Sequence, residues 1–572
     1  MPNDPEYREK TEAEYRKWLE YDDLPEDLRS ELEGMSDAAV KDAFYRDLAF
    51  GTGGLRGILG AGTNRMNVFT VAKASQGLAN HVNAGSADAP SIAVAFDSRR
   101  KSAVFARTAS CVFAANGIRA YLFPEIMPTP CLSFAVRELG CSAGIVITAS
   151  HNPSDYNGYK VYGADGCQIT TEAAAAILAE IEKVDIFENV KSVLFMEGLV
   201  NGMITNIDDD VYTSFIGAVR NQSVLYGDDI DRDVAIVYTP LNGTGLGPVT
   251  RVLTESGFTG ITVVEEQHWP DGNFPTCPCP DPGMREAMEP GLKYCEKTGA
   301  DLLLATDPDA DRCGIAVRDG NGYRLLSGNE TGLLLLDFIC SQRQKHCRMP
   351  AHPVFVKTIV TTDLAEKIAD HYGAETVNVL TGFKFIGEVI GKLEAEGRES
   401  DYICGFEESF GYLTGTYVRD KDAVGAAFMI CEMFAYYKKR GISLTDKLEE
   451  IYRTFGYCMN TLHSYQFEGA SGMLKMQEIM AGFRSGADPE GGLKVRKKLD
   501  YIDGLDGLPG SDVIKFVFED GSSAVIRPSG TEPKLKMYIS IMAEDRKAAE
   551  ASEEKLTEEL ERHLSLKNGY NK

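Results

Sequence analysis

The sequence predicts an α/β protein of several domains, with three units built alike and a fourth of different make. Short apolar strands alternate with amphipathic helical stretches through most of the chain. Each of three successive regions also sends a strand into a polar, glycine-bearing loop. The last region instead reads strand, Asp-Gly turn, strand, basic loop, strand and long charged helix. With 572 residues the chain has length for three or four domains, each with its own core.

In chain order, residues 1–40 form an expected N-terminal helical extension, because "MPNDPEYREKTEAEYRKWLE" is polar and reads as a helix rather than a signal peptide. The first α/β domain, 41–205, carries the strands of "SIAVAFDSRR", "RAYLFPE" and "AGIVITAS". The second, 206–325, carries "DVAIVYTPLNGTG", "GITVVEE" and "ADLLLATDPDADR". The third, 326–455, carries "HPVFVKTIVTTD", "ETVNVLTGFKFIGEV" and "DYICGFEESFGYL". A smaller α+β domain, 456–572, holds "SDVIKFVFEDGSSAVIRPSGTEPKLKMYISIMA" and the closing helix, with "SGADPEGG" (485–492) expected as a linker into that region.

Composition narrows the function. Hydrophobic content of 44% and charged content of 25% are those of a soluble globular protein. Apolar runs such as "GLLLLDFIC" fall short of the ~20 residues of a membrane span. A net charge of −26 argues against a nucleic-acid partner, so an anionic substrate must be met by local Arg and Lys. The thirteen cysteines lie mostly in apolar runs, as reduced core residues do, which leads to an expected cytoplasmic location. The close pair in "TCPCP" has no second pair and makes a poor zinc site.

Four loops carry candidate chemistry. In "GIVITASHNPSDYNGYK" a β-branched strand stops at Ser150, His151 and an Asn-Pro turn, the kind of strand end where α/β folds place their chemistry. Ser150 is therefore a nucleophile or a turn serine. In "ATDPDADR", Asp307, Asp309 and Asp311 at alternate positions aim three carboxylates one way if the backbone stays extended, which makes a hard-cation site. A calcium EF-hand is excluded, since Arg312 stands at the glycine position and Arg318 at the terminal glutamate. Three Asp around one Mg²⁺ leave a negative charge, and an added phosphoserine deepens it, so Arg56, Lys160 and Arg312 are needed as balance.

Two basic, glycine-bearing loops follow from that need. "GTGGLRG" (Gly51 to Gly57) offers backbone amides and Arg56, and "RPSGTEPK" (Arg527 to Lys534) has the composition of a phosphate clamp. No Walker A motif occurs, since the only Gly-Lys pair is followed by Leu393; the phosphate therefore arrives on a small molecule. "CGFEESFGY" places Glu407, Glu408 and Ser409 between glycines, which suits paired sugar hydroxyls as well as a plain turn. Ser409 is not a nucleophile elbow, because Glu407 occupies the first glycine position.

With "TASHNP", "DPDADR", "GFEESFG" and "RPSGTEPK" in that order, and "GTGGLRG" near the start, the chain resembles the α-D-phosphohexomutase family over roughly residues 40 to 560. The resemblance implies four domains around a central cleft, three α/β with mixed sheets and one smaller C-terminal α+β domain. It implies that Ser150 is the phosphorylated serine, neighboured by His151, and contributes with Asp307, Asp309 and Asp311 to holding Mg²⁺. Arg56, Lys160 and Lys384 (in "TGFKFIG") correspond to catalytic cations. Glu407 and Ser409 would read sugar hydroxyls; Arg312, Arg419 and Lys421 would contact substrate; Arg527, Ser529, Gly530 and Thr531 would hold the non-reacting phosphate. The Glu-Glu-Ser loop, Phe406, the N-terminal extension and "RDKDAVG" are similar to the type-2 phosphoglucomutase subgroup, which also contains phosphopentomutases.

The implied reaction interconverts glucose 1-phosphate and glucose 6-phosphate through a phosphoserine enzyme, with glucose 1,6-bisphosphate as intermediate and activator. Pentose 1-phosphates and mannose phosphates are the alternative substrates. The expected partners are small sugar phosphates, with neither nucleic acid nor membrane, on a monomer or weak homo-oligomer. A metal-dependent sugar phosphatase and a non-catalytic sugar-phosphate sensor are the rival classes. In "FPTCPCPDP" the family's Asn is replaced by Asp281, which is expected as structural variation.

Overall fold

The computed structural model describes residues 5–85, 88–467, 469–486, 488–489, 491–528 and 534–564. Within them the strands form four sheets. The first has seven strands. Ser91–Phe96 lies parallel between Ala143–Ile147 and Arg119–Leu122, and Ile204–Asn206 extends it on the far side. Tyr156–Gly163, Gly54–Ile58 and Phe50–Gly51 add antiparallel strands at the other edge. Every residue of Ser91–Phe96 and Ala143–Ile147 is buried, because helices cover both faces. Ile92 and Val94 pack with Val71 and Phe105 on one side, while Ala93 and Ala95 pack with Leu132 and Phe134 on the other.

The second sheet runs Gly322–Leu326, Cys313–Asp319, Leu302–Thr306, Ile236–Thr239, Ile261–Val263, with parallel pairs at its centre and antiparallel ones at one edge. The third, Glu375–Val379, Val354–Thr358, Tyr402–Glu407, Gly411–Leu413, is likewise mixed. The fourth is wholly antiparallel: Tyr457–Gln466, Lys534–Ala543, Ser523–Pro528, Ile514–Phe518, Val495–Asp500. One continuous core, from Phe134 and Phe215 through Leu336 to Phe428, binds the first three domains together. The fourth has its own core around Phe516, Met537 and Leu560. Among the described residues no helix is long and apolar enough to cross a membrane.

Several expectations are corrected by packing. The extension folds as the helices Pro5–Leu19, Glu26–Glu33 and Asp37–Phe44, so a break at residue 40 would cut the third. Ser36 caps that helix, and Val40, Ala43 and Phe44 bury one face of it. Trp18 is fully buried against Phe44, Phe69 and Phe187, with ring centroids 5.3–5.7 Å apart, so the extension is packed onto the first domain. "SGADPEGG" does not lead into the fourth domain. The helix Gly469–Ser485 before it already packs Met476, Ile479 and Phe483 into that core, so the stretch joins two elements inside the domain. "GTGGLRG" is a tight hairpin, and a Cβ on Gly54 (φ +75°) would meet the Tyr159 carbonyl oxygen at 1.8 Å.

Candidate active site

Ser150 stands just beyond the strand Ala143–Ile147 in the left-handed region (φ +52°), an uncommon conformation for a side-chain-bearing residue. The surroundings hold it there. Its N–H donates to Thr148 Oγ1 at 2.8 Å. Arg99 reaches across and donates to four carbonyls of the loop: Ser150 (2.6 Å), Pro153 (2.7 Å), Tyr156 (3.0 Å) and Asn152. Arg99 is itself fixed by buried Asp97, 3.5 Å away, and lies over the Phe274 ring at 4.9 Å. The Cys279 thiol donates to the His151 carbonyl at 3.0 Å, and all thirteen cysteines are free.

The Ser150 hydroxyl, 3% exposed, donates to Asp307 Oδ2 at 2.6 Å and lies 3.2 Å from His151 Nδ1. Asp307, Asp309 and Asp311 are buried, and each offers an oxygen within 4.8 Å of the others. They converge for a reason other than the expected extended backbone. The loop turns sharply after Leu302–Thr306: Ala310 is left-handed (φ +48°), and Asp307 Oδ1 accepts the amides of Asp311 (3.0 Å) and Arg312 (2.9 Å). Pro308 sits on Gly243, where a Cβ would come within 2.4 Å of its Cα. Thr129 ties this loop to the first domain, its N–H to the Asp309 carbonyl (2.9 Å) and its hydroxyl to Asp309 Oδ2 (2.8 Å).

Cations close around the carboxylates. Lys160 Nζ lies 2.8 Å from Asp309 and 3.0 Å from Asp311, and Lys421 Nζ 2.7 Å from Asp311. Arg312 is half-buried beside Asp311 at 3.9 Å. Arg56 donates to Asn152 Oδ1 at 3.2 Å, in the Ser150 loop. Burial and the neighbouring Asp309 and Asp311 push the Asp307 carboxyl well above the usual range. Asp309 is held below it: burial is the largest influence and opposes this, but Lys160, Lys421 and the contact with Asp307 together outweigh it. Burial, together with Arg312 and Arg56, pushes His151 well below the ordinary imidazole value, so the ring is neutral.

The sugar-loop candidates lie on the third sheet. Glu407 ends the strand Tyr402–Glu407, is 6% exposed, and accepts the Gly382 N–H at 2.9 Å. Burial and Glu408 raise its carboxyl to about 7. Ser409 is half-buried in the turn that follows. Lys384 stands on the first turn of the helix Phe383–Ala395, 4.8 Å over the Phe385 ring, its pKa lowered by burial. Arg527 projects from Ser523–Pro528, opposite Lys536 in the neighbouring strand; burial raises the Glu408 carboxyl, and the Arg527 charge works against that rise. Ser529, Gly530 and Thr531 lie outside the described residues.

Arg419 is not brought to this cluster. Its guanidinium is buried, 2.7 Å from Glu394, which also pairs with Arg137 of the first domain; its amide donates to Ser133 Oγ. Its side chain forms a strut between domains, occupied by Glu394 and by the Thr416 and Val418 carbonyls. Sequence reasoning passed over Arg99, Thr129 and Lys536. "FDSRR" at a strand end was a usable signal for Arg99, and Lys536 sits opposite Arg527 in the strand register. Nothing local marks Thr129, whose partner is 180 residues away.

Fold and site together define an enzyme of the phosphotransferase mutase class, and comparison with known proteins agrees. Four family descriptions match in order: phosphoglucomutase/phosphomannomutase α/β/α domains I, II and III at residues 47–187, 210–320 and 327–455, and the C-terminal domain at 486–559. A phosphoglucomutase of Staphylococcus aureus (strain MSSA476) is 38% identical over 522 residues, covering 89% of this chain and 92% of the relative. The fold is similar to that of the Paramecium phosphoglucomutase parafusin in an open form (TM-score 0.68, 19% identity, 90% of this chain and 96% of that one). It is also similar to a phosphoglucomutase/phosphomannomutase family protein of Burkholderia thailandensis (TM-score 0.67, 18% identity, 91% and 98%). The chain belongs to the phosphoglucomutase/phosphomannomutase family.

Proposed function

We propose that this enzyme interconverts glucose 1-phosphate and glucose 6-phosphate by passing a phosphoryl group between Ser150 and a sugar hydroxyl, through glucose 1,6-bisphosphate. The observation that carries this is the placement of Ser150 Oγ, 2.6 Å from Asp307 in a buried carboxylate triad and 3.2 Å from His151 Nδ1. The glucose preference rests on the phosphoglucomutases among the relatives.

The triad suits Mg²⁺. Asp309 Oδ1 and Asp311 Oδ1 are buried without a hydrogen-bond partner among the described residues, and an all-oxygen donor set is what this ion takes. Asp307, Asp309 and Asp311 would hold it, with the Ser150 oxygen beside them. Bound there, Mg²⁺ would supply Lewis-acid stabilisation of charge on the phosphoryl oxygens.

The remaining chemistry belongs to the chain. Lys160, Lys421 and Arg312 set positive charge around the transfer point before any substrate arrives, so little reorganisation is needed as charge develops. His151 Nδ1 is within reach of the Ser150 proton and takes it when Ser150 recovers a phosphoryl group. Glu407 and Ser409 meet sugar hydroxyls, Lys384 stands at the edge of their loop, and Arg527 grips the phosphate that does not react. The bisphosphate turns end for end between the two transfers. Burial of Ser150 keeps water from the phosphoserine, which separates a mutase from a phosphatase. A cytoplasmic location fits thirteen unpaired cysteines.

An assay offering the 1-phosphates of glucose, mannose and deoxyribose tests the reading. Formation of glucose 6-phosphate at the highest kcat/KM is expected. Release of inorganic phosphate without isomerisation would overturn it in favour of a phosphatase, and a faster pentose or mannose reaction would reassign the substrate.

A further inference from the structure

The fourth domain meets the third through a short segment that also touches the sugar loop. Residues 359–363 leave the strand Val354–Thr358 and enter the junction. Ile359 and Val360 pack against Tyr501, Val513, Val525 and Tyr538 of the fourth domain. Asp363 accepts from Ser523 Oγ at 2.9 Å and from Lys515 Nζ at 2.8 Å, both across the junction, while Lys357 braces it from behind at 2.9 Å. Lys515 also donates to the Ile359 carbonyl at 3.1 Å.

The same segment reaches the other way. Thr361 Oγ1 donates to Glu408 Oε2 at 3.2 Å, and the Thr361 carbonyl accepts from Lys357 Nζ at 3.3 Å. Thr361 and Asp363 are two residues apart, so one rigid turn is anchored to Glu408 at one end and to Ser523 at the other. Ser523 begins the strand that carries Arg527, and Tyr538, seated on Ile359 and Val360, pairs in register with Val525 of that same strand.

We propose that Thr361 and Asp363 are positioning residues that couple the sugar loop to Arg527, so that engagement of Glu408 on one side of the cleft sets the strand Ser523–Pro528 on the other. This rests on the reading above, in which the Glu407–Ser409 loop meets the sugar and Arg527 the distal phosphate. Partly buried ion pairs and small hydroxyls suit the task, because they have few alternative arrangements and transmit displacement instead of absorbing it. Retention of the bisphosphate then depends on residues that touch no substrate.

A double-mutant cycle between Thr361→Val and Ser523→Ala tests the coupling, since the two side chains share no contact. Each single change is expected to lower kcat/KM for glucose 1-phosphate about tenfold, and the pair no more than the worse single. Excess glucose 1,6-bisphosphate should restore part of the rate, and Thr361→Ser should restore nearly all of it. Multiplicative losses of about a hundredfold in the pair would overturn the proposal. Amide hydrogen exchange without substrate supplies a readout independent of turnover. Thr361→Val should speed exchange in residues 523–527 roughly tenfold, although it lies in another domain. Unchanged exchange there would overturn the coupling even if the enzyme proves to be a mutase. Faster exchange in a protein that turns over no glucose phosphate would uphold the coupling and sink the functional reading.

Discussion

The two ends of the cleft are held in different ways. At the Ser150 end each functional group is fixed by several elements: Arg99 grips four carbonyls of the serine loop, Thr129 ties the first domain to the Asp309 loop, and Lys160 and Lys421 bridge the carboxylates. These parts share one core with the third domain. Arg527, by contrast, stands on a domain whose main core is separate, joined through a small cluster around Ile359 and Tyr538 and through Cys458, which reaches into the shared core. Phosphoryl transfer is mostly positioning and charge stabilisation, so its end is built before substrate arrives. On the proposed reading Arg527 grips the phosphate of a substrate that turns over, and a lighter attachment would permit that.

Breaking the rigid end should cost most. Asp309→Asn keeps the size and the Thr129 contact but removes a ligand charge, and turnover should fall by roughly a hundred- to a thousandfold. The checks are a steady-state assay across Mg²⁺ concentrations and a thermal melt showing the fold retained. Arg99→Lys asks whether the loop needs a fork or only a charge. A lysine cannot donate to four carbonyls in fixed geometry, so kcat should drop about tenfold or more with the charge unchanged. An undiminished kcat would mean that Ser150 holds its conformation without this clamp.

At the other end, if Arg527 holds the non-reacting phosphate, Arg527→Ala removes one charge-assisted contact of about 1.5–3 kcal/mol, a ten- to hundredfold loss in affinity. The sharper expectation is leakage: free glucose 1,6-bisphosphate should be released and added bisphosphate should rescue the rate. Weaker binding without leakage would reduce Arg527 to a docking group.

The smallest effect probes the shared core. Burial raises Glu432, which accepts from Ser223 at 2.7 Å, to about 7 from an ordinary 4.5. The folded protein therefore favours the protonated acid. Its stabilising contribution is full below about pH 4.5 and is lost as pH rises through about 7. Glu432→Gln, neutral throughout, should lose less stability than the parent between pH 5 and 7.5, by at most about 3 kcal/mol. Urea unfolding at both pH values measures the difference.

Much of this was legible in the chain. Strand-to-loop alternation marked the three α/β domains, and the Asp-Gly turn marked the hairpin of the fourth, where Val517 pairs with Ser523. The serine and aspartate loops were visible because their residues are contiguous. Their meeting was not, since the Ser150–Asp307 contact spans 157 residues and depends on how two sheets pack. The aspartate geometry was misjudged because alternation suggested an extended backbone, whereas the left-handed Ala310 and the amides on Asp307 make a turn. Arg419 was ambiguous because a basic residue in a polar loop reads the same whether it meets substrate or Glu394. Thr361 and Asp363 carry no motif; their roles exist only in the packed junction.

The central claim is that Ser150 carries the phosphoryl group. Peptide mass spectrometry of the protein after incubation with glucose 1,6-bisphosphate and Mg²⁺ addresses it directly. One phosphoryl group on the peptide containing Ser150, absent in Ser150→Ala together with all mutase activity, is the predicted result. Phosphate confined to another peptide, with Ser150→Ala fully active, would contradict it.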